Sequence, residues 1–314
     1  MNNSEIIYTV SKEGRADFKT IQEAVDAAEN NLNSKTKIII RKGIYREKII
    51  VPATKGAILF EGENASETII VNDDYASKKN ADGKQIGTTG SSTISIFSDN
   101  FSANNITFQN DAGKVGQAVA VLITGDRAIF ENCRFLGFQD TLYLKGEQDV
   151  LIPKRDSRHY FKNCYIEGTT DFIFGAATAV FKSCIINAKE SATYITAAST
   201  PQGKRFGFVF IDCKITGNAK PHSVYLGRPW RPFAKTVFIN TEISNIIKPE
   251  GWHNWNKPDA EKTTFYGEYK SKGIGANPEK RVFWSHQLSK NQLKDYSLKK
   301  ILAGKDNWNF KIMK

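Results

Sequence analysis

The sequence has little of what would mark a membrane protein or a metal-binding protein. Across 314 residues there are only four cysteines and four histidines. No apolar segment approaches the roughly 20 residues needed to cross a bilayer. The first residues lack a basic start followed by an apolar stretch, so no signal peptide is predicted at this end. Two interpretations stay open: a cytosolic protein, or an exported one whose presequence has been removed.

The sequence also lacks the usual residues of a serine hydrolase. No serine stands in a Gly-x-Ser-x-Gly turn. The four histidines lie outside the carboxylate and carboxamide clusters described below, at His159, His222, His253 and His286. A Ser-His-Asp triad therefore has no obvious place, and a hydrolytic reaction would need another nucleophile.

Acidic side chains are outnumbered by basic ones, 33 to 44, which leaves a net charge of +11. Such a charge favours a polyanionic partner, and nucleic acid and acidic polysaccharide both meet that condition. The basic residues are dispersed and form no long Lys/Arg run, so the excess could equally serve only solubility. Charge thus indicates a class of partner without selecting one.

The most regular feature is a short pattern that occurs five times: Phe, any residue, a small polar residue, Cys or Thr, any residue, then Ile or Phe. The copies begin at Phe130, Phe161, Phe181, Phe210 and Phe238, at intervals of 31, 20, 29 and 28 residues. Such a period is typical of stacked coils rather than of a globular core. The Cys or Thr and the apolar residue two places on would form interior ladders, and the small polar residue suits a bend between short strands.

We therefore predict an all-β solenoid in a single domain, residues 1–314, with its body at about residues 57–245. A strand at residues 6–10 and a helix at residues 17–28 are predicted ahead of the body, and the helix would cap one end of the stack. Residues 246–314 are predicted to form loops and a tail that covers the stack.

Smaller elements follow from local patterns. Strands are predicted at residues 37–41 and 48–51, with Gly43 in the turn between them. An amphipathic helix is predicted at residues 292–302. Residues 77–90 and 145–158 break the repeat, and such loops usually line the binding face of a solenoid.

All four cysteines lie within copies of the repeat, at Cys133, Cys164, Cys184 and Cys213. Their spacing does not match a zinc site of the Cys-x-x-Cys kind. Buried thiols at ladder positions are the simpler interpretation for at least two of them. Cys164 and Cys184, only 20 residues apart, could pair in an oxidising compartment.

Carboxylates and carboxamides interrupt apolar segments at three places. Asp140 follows Gln139 between two apolar stretches, Asp171 lies in another, and Gln117 opens a third. An ionisable group in apolar surroundings is costly unless paired, which favours a functional role. About one coil separates Asp140 from Asp171, so the two carboxylates would lie side by side, and such a pair often divides acid and base roles. Singly, each has a simpler interpretation: a turn-capping Asp, an amide ladder, or a surface Arg228 in an ordinary turn.

Together, these segments resemble the pectin methylesterases, carbohydrate esterases built as right-handed parallel β-helices. The matching stretches, in order, are residues 106–110, 117–120, 137–143, 168–175 and 226–230. Further similarity at residues 17–21, 251–256 and 267–269 extends the resemblance over nearly the whole chain. The resemblance implies the same right-handed parallel β-helix for this chain.

The resemblance implies hydrolysis of the C6 methyl esters of methylated galacturonate, with no metal and no cofactor. Asp171 would be the nucleophile that forms an acyl-enzyme, and Asp140 the general acid and then the general base. Gln117 and Gln139 would donate hydrogen bonds to the tetrahedral oxyanion. Arg228 would hold Asp171 ionised and oriented. All five residues are present in this sequence.

The resemblance implies further properties. The expected substrate contacts are Thr88, Tyr143, Phe172, Trp230 and Trp252. It supports a disulfide between Cys164 and Cys184. The implied partner is pectin or polygalacturonate, with no nucleic acid and no membrane. The protein would be a monomer that is secreted, periplasmic or attached to the cell surface.

Two features depart from the family pattern. Extra residues at 147–157 enlarge a loop expected beside the cleft, which leaves subsite preference and processivity open. Leu122 stands where many relatives have Arg.

Two rival functions would also suit a solenoid: a β-helix lyase or glycosidase acting on the same polymer, and a non-enzymatic polysaccharide binder or adhesin scaffold. A lyase would want a calcium-binding carboxylate cluster and a glycosidase closely placed Asp residues, and neither explains the paired Gln residues. A pure binder has no need of a costly buried carboxylate pair.

Overall fold

A computed structural model describes residues 5–146 and 155–311 of the chain. Three parallel sheets run along the molecule, and each complete coil of the chain contributes a strand to sheet 1, then sheet 2, then sheet 3. The predicted parallel β-helix is confirmed. Residues 147–154, which include most of the enlarged loop at 147–157, lie outside the described residues. In the described part of the chain, no helix is long and apolar enough to cross a membrane.

Within each sheet, a strand hydrogen-bonds to the strand one coil earlier and to the strand one coil later. Sheet 1 comprises Ile6–Val10, Lys35–Ile40, Ala57–Gly62, Ser102–Asn104, Ala128–Glu131, Arg158–Lys162, Thr178–Lys182, Phe208–Ile211, Lys235–Ile239, Phe265–Tyr269 and His286–Gln287. Sheet 2 comprises Gly43–Arg46, Thr68–Asn72, Thr107–Asn110, Arg134–Leu136, Tyr165–Gly168, Ile185–Ala188, Lys214–Gly217 and Glu242–Ile243. Sheet 3 comprises Ile49–Val51, Ile94–Ile96, Val121–Ile123, Leu142–Leu144, Thr170–Gly175, Tyr194–Ala198 and Tyr225–Gly227.

The repeated pattern builds the interior of the solenoid. Its five phenylalanines are fully buried and stack in one column, with successive ring centroids 5.0, 4.8, 4.4 and 4.5 Å apart. The small polar residues have φ between 50° and 54°: Asn132, Asn163, Ser183, Asp212 and Asn240. Asn and Asp tolerate this left-handed conformation better than most residues, so they suit the bend between sheets 1 and 2. The predicted ladders and bends are therefore present.

The four cysteines occupy successive rungs of a second interior ladder and are buried free thiols. The predicted disulfide between Cys164 and Cys184 is not formed in this structure. Neighbouring rungs point in the same direction, and each thiol has carbonyl acceptors of its own. Cys164 Sγ donates to Lys162 O at 3.3 Å and Cys184 Sγ to Lys182 O at 3.4 Å.

The N-terminal helix is shorter than predicted and spans Ile21–Ala27. The Thr20 hydroxyl accepts the Glu23 N–H, and the Glu23 carboxylate accepts the Thr20 N–H, which forms a capping box that starts the helix. Phe18 instead forms a β-bridge with Val10, so residues before Thr20 are not helical. The helix closes the first layer of the core with Ile21, Ala24 and Val25.

The solenoid extends beyond the predicted body of residues 57–245. The strands Lys35–Ile40, Gly43–Arg46 and Ile49–Val51 form a complete coil before it, and sheet 1 continues to His286–Gln287. Gly43 pairs with Thr68 in sheet 2, so its prediction as a turn residue was wrong.

The predicted helix at residues 292–302 is divided into two short helices, Lys290–Leu293 and Leu298–Leu302. Ser297 caps the second helix, because its hydroxyl accepts a backbone N–H of the first turn at 3.3 Å. An N-cap residue has a non-helical conformation, which interrupts the predicted element. The second helix covers the outer face of sheet 1 through buried Ile301 and Leu302.

The remaining helical segments lie in loops. Gly87–Gly90 is a single α-helical turn within the predicted loop at residues 77–90. Pro258–Lys262 and Pro278–Lys280 are 3-10 turns in the connections that lead to the last two strands of sheet 1.

Candidate active site

A cleft of about 740 Å³ opens on the outer face of sheet 3. Tyr143 and Phe174, which are in register on neighbouring strands, stack with ring centroids 4.2 Å apart in this cleft. The ring of Trp230 lies 6.1 Å from Tyr143 and 5.8 Å from Phe174. Thr88 and Thr89 also line the cleft. An aromatic surface beside a few polar groups is the usual composition of a small-molecule site.

The structure brings Asp140 and Asp171 together in this cleft from adjacent coils. The backbone N–H of Asp140 donates to the carbonyl of Thr170 at 3.0 Å. Asp140 and Asp171 have φ of 66° and 49°, a conformation that costs energy for residues with a Cβ and that clusters at functional sites. The pairing of the strand that holds Asp171 also shifts register between Thr170 and Ile173. Both carboxylates line the cleft, although Asp140 and Asp171 are only 7% and 6% exposed. The backbone irregularities thus lie where the carboxylates reach the cleft.

Arg228 follows the last strand of sheet 3 and binds Asp171 with two hydrogen bonds. Its Nε donates to Oδ1 at 2.9 Å and its Nη2 to Oδ2 at 2.6 Å. This parallel, charge-assisted arrangement fixes the direction of the carboxylate as well as its charge. The guanidinium also lies between two rings, with its carbon 3.9 Å from the centroid of Tyr194 and 3.6 Å from that of Trp255.

The surroundings push the pKa values of the two carboxyls apart. Burial raises the pKa of Asp140 well above its ordinary value, and the nearby charge of Asp171 raises it further. Burial also raises the pKa of Asp171, but the hydrogen bonds and the charge of Arg228 oppose that rise. Asp140, whose pKa is raised the more, therefore holds its proton to higher pH than Asp171, whose anion Arg228 stabilises. Such a pair can supply an acid and a nucleophile in one site.

Gln117 and Gln139 stand beside the carboxylates on adjacent coils. A parallel β-bridge joins their backbones, and Ala118 N–H donates to Gln139 O at 3.1 Å. Both side chains line the cleft, with Gln117 exposed and Gln139 half-buried. Within residues 5–146 and 155–311, neither side-chain amide hydrogen-bonds to another protein group. Their N–H groups are thus available to a bound oxygen.

Two of the five predicted substrate contacts are wrong. Phe172 is fully buried in the main core and contributes nothing to the cleft wall. Trp252 is 1% exposed and stacks on the interior ring of Tyr266 at 4.3 Å. Neither ring has a face that a sugar could contact. The other three predicted contacts, Thr88, Tyr143 and Trp230, line the cleft.

The cleft uses the neighbours of the two misassigned residues. Phe174 lines the cleft in place of Phe172, and Trp255 lines it in place of Trp252. A signal for Phe174 was available: Tyr143 lies between two buried leucines, and Phe174 occupies the same register position on the next coil. No comparable signal identified Trp255, since it lies in an irregular loop.

The departure at Leu122 lies beneath the cleft. Leu122 is fully buried, in register with Tyr143, and belongs to the small apolar cluster that includes Phe174. It therefore brings an apolar side chain to the floor where the family resemblance leads one to expect a charged one.

In the two described ranges, no three His, Cys, Asp or Glu side chains come close enough together to hold a metal.

Known proteins resemble this chain over most of its length. The profile of the family described as Pectinesterase matches residues 7–305. Pectinesterase 31 of Arabidopsis thaliana is 39% identical over 285 residues, which cover 89% of this chain and 86% of that protein. Pectinesterase QRT1 of Arabidopsis thaliana is 38% identical over 315 residues, covering 98% and 79%.

Solved structures are similar over the same extent. Pectin methylesterase from carrot superposes with a TM-score of 0.83 at 34% identity, covering 95% of this chain and 93% of that one. A pectin methylesterase crystallised in complex with a hexasaccharide has a TM-score of 0.84 at 30% identity, with 98% of each chain covered.

Proposed function

Because the chain belongs to the pectinesterase family, we propose that it hydrolyses the C6 methyl esters of methylated homogalacturonan to pectate and methanol. The observation that carries the proposal is the convergence of four groups in one cleft. These are a carboxyl with a raised pKa, a carboxylate bound to arginine, and two amides without protein partners among the described residues.

In the first half of the proposed reaction, Asp171 attacks the ester carbonyl carbon through a carboxylate oxygen. The carbonyl electrons move onto oxygen, and the side-chain N–H groups of Gln117 and Gln139 donate to that oxyanion. When the tetrahedral intermediate collapses, the bond to the methoxy oxygen breaks and Asp140 gives it a proton. Methanol leaves, and the C6 carbonyl remains bound to Asp171 as an acyl-enzyme.

In the second half, Asp140 is an anion and acts as general base. It takes a proton from water while that water attacks the acyl carbon, and the same two amides bind the second oxyanion. Collapse releases the galacturonic acid carboxyl, which then loses its proton to solvent, and restores the Asp171 carboxylate and protonated Asp140. Arg228 stabilises the Asp171 anion before attack and after release. Each group returns to its starting protonation state.

The aromatic lining of the cleft supports a polysaccharide substrate. Tyr143, Phe174 and Trp230 present rings beside the reacting groups, where they can pack on the apolar faces of sugars and on the methyl ester. We also propose that the protein acts as a monomer outside the cytoplasm, since its substrate is a cell-wall polymer.

The direct test measures methanol release from highly methylated pectin, with a chelator present, for the wild type and for Asp171→Asn. Methanol from the wild type alone is expected. No methanol from folded wild type would contradict an esterase. Product analysis of the same reaction identifies the rivals, because a lyase would leave unsaturated uronate ends and a glycosidase would leave new reducing ends without methanol.

A further inference from the structure

Arg228 is held on both faces of its guanidinium plane. Tyr194 lies on one side with its ring centroid 3.9 Å from the guanidinium carbon, and Trp255 contacts the same group at 3.6 Å. Both distances are well inside the range at which a cation is attracted to an aromatic ring. Trp255 lines the cleft, whereas Tyr194 is not among the cleft-lining residues. The contact between Tyr194 and the reacting groups is therefore indirect and runs through Arg228.

His253 connects the two rings. Its Nδ1 accepts the backbone N–H of Trp255 at 3.2 Å, and the Tyr194 hydroxyl lies 3.5 Å from the same nitrogen. Burial lowers the pKa of His253, and the charges of Arg228 and Lys248 lower it further. The lowered pKa favours the neutral imidazole, whose Nδ1 accepts the Trp255 N–H and so helps to hold the loop that carries the Trp255 ring beside Arg228.

The two rings limit a motion of Arg228 that the salt bridge alone does not prevent, which is the rotation of its guanidinium plane. A guanidinium on a flexible side chain can rotate about its last bonds, and it binds both oxygens of a carboxylate only when the two planes nearly coincide. Rings packed on the guanidinium faces restrict that rotation and leave the Nε and Nη2 edge to Asp171. The two rings therefore hold the guanidinium plane in this orientation independently of a bound substrate.

We propose that Tyr194 and Trp255 are positioning residues, which hold the Arg228 guanidinium in the plane that binds both oxygens of Asp171. The proposal rests on the proposed esterase function for its kinetic consequences, though not for its geometry. Without the Tyr194 ring, Arg228 spends less time in the bidentate geometry. The pKa of Asp171 is then higher, so its carboxyl is ionised only at higher pH, and the carboxylate is less well aligned as a nucleophile.

The test compares Tyr194→Leu with two matched variants. Tyr194→Phe keeps the ring and loses only the hydroxyl near His253. Tyr225→Leu removes a similar half-buried tyrosine that stacks on Tyr194 at 5.4 Å and, among the described residues, makes no ring contact with Arg228. Thermal unfolding of each variant establishes that it is folded.

For Tyr194→Leu we expect kcat to fall about tenfold with KM little changed, since the ring touches Arg228 and not the cleft. The acid limb of the kcat/KM profile should move to higher pH, because Asp171 loses part of its cationic support. The other charged groups that act on Asp171 are Asp140 and Lys257, and both remain in the variant. Tyr194→Phe should behave as the wild type. Trp255→Leu should show the same pH shift together with a raised KM.

A second readout does not depend on activity. Carbon-13 NMR titration of the Asp171 carboxyl should give a higher pKa in Tyr194→Leu than in the wild type or Tyr225→Leu. The proposal is overturned if Tyr194→Leu matches the wild type in kcat, in the acid limb and in this titration. If the wild type releases no methanol, the proposed function fails, and the titration alone still decides whether Tyr194 positions Arg228.

Discussion

Two buried Asp–Arg pairs on different faces of the solenoid have nearly the same geometry. In the cleft over sheet 3, Arg228 donates to Asp171 from Nε and Nη2 at 2.9 and 2.6 Å. On the outer face of sheet 1, Arg158 donates to Asp126 from the same two atoms at 3.0 and 2.5 Å. A bidentate buried pair is therefore not by itself a sign of catalysis.

The surroundings of the two arginines differ. Arg158 also binds a second carboxylate, Asp306, at 2.6 and 2.8 Å, and two carbonyls of the C-terminal segment at 3.1 Å. Burial opposes ionisation of Asp126, but its bonds to Arg158 hold its pKa below the ordinary value. In the cleft, the second carboxyl is Asp140, and no hydrogen bond among the described residues joins it to Arg228. Its pKa is raised instead.

The comparison shows what distinguishes a reactive pair from a structural one. On sheet 1 the arginine binds both Asp126 and Asp306, and its bonds to Asp306 and to two carbonyls fasten the C-terminal segment to the solenoid. In the cleft the second carboxyl, Asp140, borders an open space and has no side-chain hydrogen bond within the described residues. Perturbed carboxyls of this kind mark functional sites, whereas fully paired ones more often serve stability.

The two pairs should differ most in their effect on activity. Asp171→Asn should lower methanol release by at least about 1000-fold, because an amide cannot act as the nucleophile. The matched change Asp126→Asn removes the same charge from the other pair, and it should leave kcat within about twofold of the wild type because the site is remote. Steady-state assays on methylated pectin measure both. Equal losses in the two variants would mean that the pair itself, and not its surroundings, decides its role.

The same two variants should differ in the opposite sense in stability. Asp126→Asn leaves a buried arginine partly unpaired, and the free energy of unfolding should fall by about 3 kcal/mol. Asp171→Asn should change it by less than about 1 kcal/mol, since Arg228 borders a solvated cleft. Urea unfolding at pH 7 gives both values. A larger loss for Asp171→Asn than for Asp126→Asn would show that the cleft pair is also the structural one.

Low pH should lower the free energy of unfolding through His159, which is fully buried on sheet 1 near Asp126. Its Nε2 lies 3.0 Å from Gly125 O, and burial lowers its pKa to about 4. The unfolded chain, with an ordinary histidine pKa near 6.5, binds more protons in this range, so stability falls as pH drops from about 6.5 towards 4. The wild type should lose roughly 2 to 3 kcal/mol more than His159→Asn between pH 7.5 and pH 4.5. Denaturant unfolding at both pH values checks this, and parallel losses in the two proteins would contradict it.

The cleft should show the opposite pH dependence, with a smaller effect. Asp140 has a raised pKa when folded, so above the unfolded value of about 3.9 the folded state binds more protons and stability falls as pH rises. Asp140→Asn keeps the group neutral and should stabilise the protein by about 1 kcal/mol at pH 8, while it removes activity. At pH 3.5 the gain should vanish. Unfolding measured at the two pH values tests the sign, and a destabilised Asp140→Asn at pH 8 would contradict it.

Much of the fold could be predicted from the sequence because the repeat is a local property. Each copy of the Phe pattern contacts mainly the copies before and after it, so one period in the sequence becomes one rung in the structure. Elements outside the repeat were predicted less well. The C-terminal helix is interrupted at Ser297, and the first coil carries no copy of the pattern that would predict it.

The candidate site divides in the same way. Asp140, Asp171, Gln117 and Gln139 could be identified from polar residues in apolar segments, and the repeat period placed them on neighbouring coils. Phe172 and Phe174 are two positions apart and would share one face of a regular strand, but the left-handed φ of Asp171 and the register shift beside it break that alternation. Cys164 and Cys184 were correctly placed as neighbours, but their oxidation state was not a property of their spacing.

By itself, therefore, the sequence determined the coil, its interior ladders and the reactive residue types, because these depend on period and chemistry along the chain. Only the tertiary structure decided which tryptophan faces the cleft and which rings enclose Arg228. The three stacked side chains come from a strand, a turn and an irregular loop, at Tyr194, Arg228 and Trp255. Their stacking depends on how that loop packs against the last strands of sheet 3. Short-range patterns carry no information about that packing, since its contacts join residues about 30 to 60 positions apart.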